Sequence, residues 1–159
     1  MNLRTVRVAI GFFIFGLVIS GVTAFPLVLE LRLLCGWLGI PEGARPEALS
    51  GLGHWLAWVR QGLEETSRSY PFLAYGTDWL AFAHFAIAVF FVGAWKDPVR
   101  NAFIIDAGIV CCLGVIPLAL ICGPLRGIPF YWRMIDCSFG VIGVLPLLYA
   151  RRCIIKEQP

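Results

Sequence analysis

The sequence predicts an all-α integral membrane protein, an up-down bundle of four transmembrane helices with an extra amphipathic helix in the first, outer loop. Three observations predict it. Hydrophobic residues make up 59% of the 159 positions and charged residues 14%, against roughly 25% charged in soluble domains; a soluble domain of this length could not bury so much apolar surface. Four stretches approach or exceed the ~20 apolar residues that cross a bilayer as a helix. The connections are turn-rich and mostly short, and the one long connection carries a polar, amphipathic segment.

The first span is predicted over about 8–29, after a short basic lead with Arg4 and Arg7. Its apolar run exceeds the roughly 7–15 residues of a signal-peptide core, so it reads as a permanent helix and not a cleaved leader. Helical spacing places Phe13, Gly16, Ser20, Thr23, Leu27 and Glu30 on an inward stripe. Pro26 predicts a kink near the far end, and Glu30 and Arg32 mark the membrane surface.

The longest connection follows, over residues 36–76. Gly36 to Arg45 is turn-rich. An amphipathic helix is predicted over about 46–66, with Pro46 at a first helical position. Leu49, Leu52, Leu56, Val59 and Leu63 form its apolar face, with Trp55 beside it; Arg60, Gln61, Glu64 and Glu65 populate the other side. It is too polar to span, and is expected to lie on the membrane or cap the bundle.

The second span, about 77–95, reads TDWLAFAHFAIAVFFVGAW. Thr77, Ala81, His84 and Ala88 share one stripe; Phe82, Phe85 and Val89 share another. A small, polar stripe opposite a bulky one predicts a helix packed on partners with His84 turned inward. Asp78 suits the positive helix start. The third span, about 98–122, is predicted to start with Asp97 as N-cap and Pro98 at the first helical position, and to end at Gly123-Pro124. Its stripe is Ala102, Asp106, Val110 and Pro117, with Gly108 on a different face. The fourth span, about 130–150, aligns Arg133, Asp136, Gly140, Gly143 and Leu147.

Four crossings put both termini on one side. Arg4, Arg7, Lys96, Arg100, Arg151, Arg152 and Lys156 flank the crossings there, whereas Arg32, Arg45, Arg60, Arg68, Arg126 and Arg133 are dispersed over the other side. The positive-inside rule weights flanking bases, which predicts cytoplasmic N- and C-termini in a membrane of the bacterial inner (plasma) type. The net charge of +3 is scattered, with no basic run of the sort that binds nucleic acid. The six cysteines lack CxxC or paired Cys/His spacing, so no metal site is predicted. A disulfide among Cys35, Cys122 and Cys137 stays open if the outer side is oxidising.

Ionisable groups in a membrane cost several kcal/mol unless paired or wet, so these stripes are expected to face one another. His84 lies six residues after Asp78, ~9 Å in from the outer surface. With Asp136, Arg133, Glu30, Asp78, Arg126, Tyr75 and Trp132 it forms the candidate ligand-binding set, in the outer half of the bundle. Asp106 and Asn101 are predicted as buried polar residues of the cytoplasmic half, with Asp106 paired to an Arg or to Asn101.

The same residues admit a purely structural reading. Arg133 and Asp136 would then be an ion pair at helical spacing, and His84 a neutral histidine donating to a carbonyl. Three functions stay open: binding of a small amphipathic, lipid- or quinone-like ligand; a membrane enzyme with His84 as acid or base beside Asp136 or Glu30; or an accessory subunit of a membrane complex, or a homo-oligomer. No cofactor is required by the sequence. Haem between His54 and His84 is disfavoured, because His54 belongs to the peripheral helix. A quinone is compatible with the pocket.

Overall fold

The computed structural model describes residues 3–155; Lys156, one of the bases used to orient the chain, lies outside the described residues. Regular structure among them is helical throughout: α1 Leu3–Ala24, α2 Leu27–Trp37, α3 Gly51–Ser69, α4 Tyr75–Lys96, α5 Ala102–Leu125 and α6 Phe130–Ile155, with single 3-10 turns at Pro46–Ala48 and Pro71–Ala74. Leu3–Ala24, Pro71–Lys96, Ala102–Leu125 and Phe130–Ile155 are long and apolar enough to cross a membrane. The chain is therefore all-α, with several long apolar helices consistent with a multi-span membrane protein.

Two compact units divide the chain. One comprises the residues up to Val18 and those from Ala86 on; the other is Ile19–Phe85. In the first, the short connection 126–129 folds α5 and α6 into an antiparallel hairpin. The N-terminal part of α1 and the C-terminal part of α4 join it in one apolar cluster that includes Val6, Ile10, Phe91, Ala94, Ile105, Val144, Leu147 and Ile154.

Glycine sets the closeness of this hairpin. A Cβ added at Gly140 would lie 2.5 Å from the Cys112 carbonyl oxygen, and one at Gly143 would lie 3.0 Å from the Cys112 Sγ. One at Gly108 would meet the Phe91 ring at 2.5 Å and Leu147 at 2.9 Å. Backbones approach this closely only where side chains are absent. The buried face of α5 is accordingly Ile105, Gly108, Cys112 and Gly123. This corrects the predicted stripe: Val110 and Pro117 are exposed and Gly108 is inside.

Helix ends differ from expectation for identifiable reasons. The apolar window begins at Val8, yet α1 starts at Leu3, because Arg7 keeps its stem in the helix and spends its head on carbonyls of α4. Its Nε donates to the Trp95 carbonyl at 3.1 Å and its Nη2 to that of Lys96 at 2.8 Å, two acceptors that a helix C-terminus leaves open. Asn101 Nδ2 donates to the Gly93 and Asp97 carbonyls at 3.1 and 2.9 Å. Pro26 breaks the first span outright instead of kinking it: α1 ends at Ala24 and α2 begins at Leu27, since the residue before proline avoids helical geometry.

Asp97 does not cap α5. Its Oδ1 accepts from the Arg100 amide at 3.0 Å, within a turn, and the helix begins at Ala102 after Asn101. Gly123-Pro124 does not stop α5 either. The stop is Gly127, at φ 70°, where the Ile128 amide reaches the Gly123 carbonyl at 3.0 Å and the Gly127 amide that of Pro124 at 3.1 Å. That paired bonding is a Schellman motif, which needs a left-handed residue just past the helix. Gly39 ends α2 the same way, with Ile40 bonded to Cys35 at 2.9 Å.

In the second unit α3 packs on α2 and on the segment between them. Arg60, predicted on the polar side of α3, is only 5% exposed and donates from Nη2 to the Pro41 carbonyl at 2.9 Å. His54 Nδ1 donates to the Pro46 carbonyl at 2.8 Å. Each of these carbonyls also accepts a backbone amide, Pro41 from Ala44 at 3.2 Å and Pro46 from Leu49 at 3.0 Å, and a carbonyl oxygen has lone pairs for both bonds. Arg32 bonds Glu64 at 2.7 Å; that bond, and then the carboxylate's charge, raise the Arg32 guanidinium above its ordinary value, but the pair is solvent-screened and contributes little. On α1, Gly21 receives the Phe85 ring, at 2.9 Å from where its Cβ would be. Phe85 also stacks on Phe25 with centroids 6.2 Å apart. Phe85 therefore departs from the outward stripe it was predicted to share with Phe82 and Val89, both of which are exposed.

Arg60→Ala is expected to cost about 1–3 kcal/mol, because the Pro41 carbonyl loses its charged donor, keeping only the Ala44 amide, and the buried stem is removed. Heating in detergent should show earlier unfolding and faster proteolysis near residues 39–46. The exposed Arg68→Ala variant should match wild type in both.

Candidate functional site

The eight candidate residues fall in two groups. Arg126, Trp132, Arg133 and Asp136 belong to the first unit; Glu30, Tyr75, Asp78 and His84 belong to the second.

In the first unit the α5–α6 connection builds a cationic end. Arg126 is exposed and forms the C-cap of α5. Arg133 lies in the first turn of α6, half-buried, and its methylene stem rests on Gly123, a position where any side chain would collide with it. Its guanidinium carbon stands 5.3 Å from the Phe130 ring centroid, within cation–π range. Its Nε is buried with no hydrogen-bond partner among the described residues. Unpaired buried donors are uncommon and costly.

Asp136 follows one turn later and is half-buried. Helical spacing would allow it to pair with Arg133. Among the described residues the ion pairs that form are Arg32–Glu64 and Arg151–Asp106, so the Arg133–Asp136 pair required by the structural reading is not made. Neither side chain has an ionic partner among the described residues. Trp132, between them, is half-buried.

In the second unit His84 is half-buried on α4, and its Nδ1 meets the Leu80 carbonyl at 2.7 Å. A carbonyl only accepts, so Nδ1 carries the proton and Nε2 is left for other chemistry. Asp78 is half-buried in the first turn of α4. Glu30 is half-buried in the first turn of α2, where a carboxylate complements the helix dipole. Tyr75 stands apart from a polar cluster: its ring meets Trp79 edge-on at 5.9 Å, and Trp79 meets Phe82 edge-on at 6.0 Å, a ladder of exposed rings along α4.

Asp106 bonds Arg151 Nε through Oδ1 at 2.6 Å. Asn101 is engaged with carbonyls of Gly93 and Asp97 instead. All six cysteines are free thiols, Cys35, Cys122 and Cys137 included. Among the described residues no three His, Cys, Asp or Glu side chains come together as metal ligands. The sequence reading missed Arg60, hidden by its place among the polar residues of α3, and Arg7, whose reach to the end of α4 has no local signal. No family model, curated protein or solved structure matches the chain.

Proposed function

We propose that the chain crosses the bilayer four times, with both termini on the cytoplasmic side of a plasma membrane of bacterial type, and binds a small amphipathic, lipid- or quinone-like ligand in the outer half of the membrane. The observation that carries this reading is Arg133: a guanidinium braced by Gly123 and Phe130, with a buried Nε that no described residue satisfies. An anionic or carbonyl oxygen of the ligand supplies the missing acceptor. Asp136 supplies a further polar contact, and Arg126 adds positive charge at the entrance.

Decylubiquinone and oleate are suitable probes, with affinity read by tryptophan quenching in nanodiscs. Arg133→Gln is expected to weaken binding of one of them about tenfold or more, the equivalent of a hydrogen bond to a charged group, while Arg68→Gln leaves it unchanged. Unaltered affinity of both probes in Arg133→Gln would overturn the assignment. An accessory-subunit role is the second reading, favoured by the bond that engages His84 Nδ1 within its own helix. Stoichiometric copurification with a partner, together with full tolerance of His84→Gln, would decide for it.

A further inference from the structure

The end of the first unit away from Arg133 carries an open groove of about 530 Å³, lined by Leu3, Arg4, Arg7, Val8, Gly11 and Trp95. Its size falls within the roughly 300–1,000 Å³ of small-molecule sites. We infer that this groove binds an anionic phospholipid, with the phosphate between Arg4 and Arg7 and an acyl chain along Val8, Gly11 and Trp95.

The lining residues divide by chemistry. Arg4 and Arg7 are three apart on α1, so their side chains leave the helix on one side. No carboxylate of a described residue lines the groove. The nearest acid in sequence to Trp95, Asp97, is turned to the Arg100 amide. Arg7 is held in place by the two α4 carbonyls, through Nε and Nη2, and its Nη1 makes no bond to a described residue. The Arg4 side chain likewise has no partner among the described residues, and Lys96 and Arg100 follow Trp95 closely in sequence and add to the positive field.

The other wall is apolar. Leu3 and Val8 are exposed. A Cβ placed on Gly11 would lie 3.7 Å from Trp95 Nε1 and 3.9 Å from its Cδ1, so the indole lies across a bare stretch of α1 and forms a flat floor. Trp95 also stacks with Arg7, whose Cζ is 5.9 Å from the ring centroid. Tryptophan with basic residues at a helix end is the usual composition of the headgroup level. Basic pockets between membrane helices select anionic headgroups. A free anion would use the two guanidinium groups and leave the apolar wall idle, so the lipid is the better match to the whole groove.

The test uses the full chain in detergent, with lipid retention measured by native mass spectrometry against dioleoyl phosphatidylglycerol, dioleoyl phosphatidylcholine and inorganic phosphate. Wild type is expected to retain phosphatidylglycerol in preference to phosphatidylcholine, and not to bind inorganic phosphate at millimolar concentration. Arg4→Gln, which breaks no bond to a described residue, should weaken phosphatidylglycerol binding about fivefold, the effect of one basic residue near an anionic headgroup. Gly11→Leu should block the acyl track and weaken it at least as much. Arg152→Gln, the same charge change outside the groove, should leave it unchanged. Equal retention of the two lipids, binding of inorganic phosphate alone, or a response of Arg152→Gln equal to that of Arg4→Gln would each overturn the proposal. Neither variant touches Arg133, so failure here leaves the outer-half site standing.

Discussion

Gly140→Leu is expected to be the most damaging single substitution in the α5–α6 hairpin. Its Cβ alone would stand 2.5 Å from the Cys112 carbonyl oxygen. That oxygen is backbone, inside a continuous helix, and cannot swing aside as a side chain does. The two helices must separate, losing the close van der Waals contact that substitutes for the hydrophobic effect between helices in lipid. Overpacking of this kind costs about 1–3 kcal/mol and sometimes more, and the value here should lie at or above the top of that range. Titration with sodium dodecyl sulfate, followed by tryptophan fluorescence, would measure it. Gly114→Ala is the matched control. It sits in α5 with nothing within 4 Å of the new Cβ, so it should be neutral, or stabilising by up to about 1 kcal/mol through helix propensity. Equal behaviour of the two variants would contradict the packing described.

Removal of Asp106 should have the next largest effect. Its partner Arg151 already buries an Nη1 without an acceptor and depends on the 2.6 Å bond from Nε to Asp106. The side chains are 26% and 43% exposed, for Arg151 and Asp106, which puts the pair between a surface bridge and a buried one. Breaking a fully buried pair costs about 3–5 kcal/mol and an exposed pair contributes about 1 kcal/mol or less. Asp106→Leu is therefore expected to cost about 2 kcal/mol. The double variant Asp106→Leu with Arg151→Leu should be less destabilised than Asp106→Leu alone, because it leaves no unpaired cation. Additive losses in the same denaturation assay would show that the two residues are not coupled.

The sequence made helix existence legible and helix faces only partly so. On α6 the buried Gly140 and Leu147 lie on the predicted stripe, since glycines and charges there recur together at helical spacing. On α5 they do not. Choosing the inward face by Asp106 points away from Gly108, but the closest helix contact is set by missing side chains, not by charge. Asp106 satisfies itself sideways with Arg151, 45 residues on, a partner no local pattern names. Prolines misled twice. Pro26 looked like a kink and is a break, while Pro124 looked like a stop and lies within α5, because the left-handed Gly127 three residues later is what ends the helix. At the candidate site, residue types were readable but their bonds were not. Whether Arg133 pairs with Asp136 depends on rotamers, and the rotamer of Arg133 is dictated by Gly123 on another helix.

A chain that crosses the membrane four times, as proposed, would place the connections at 97–101 and 126–129 on opposite sides. Single cysteines at Glu47, Val99 and Arg126, in a full chain whose six native cysteines are replaced by alanine or serine, test this with a membrane-impermeant maleimide. Glu47→Cys and Arg126→Cys are expected to react in intact cells, and Val99→Cys only after lysis. Labelling of Val99→Cys and Arg126→Cys from the same side would remove one of the crossings, and with it the outer-half site built around Arg133.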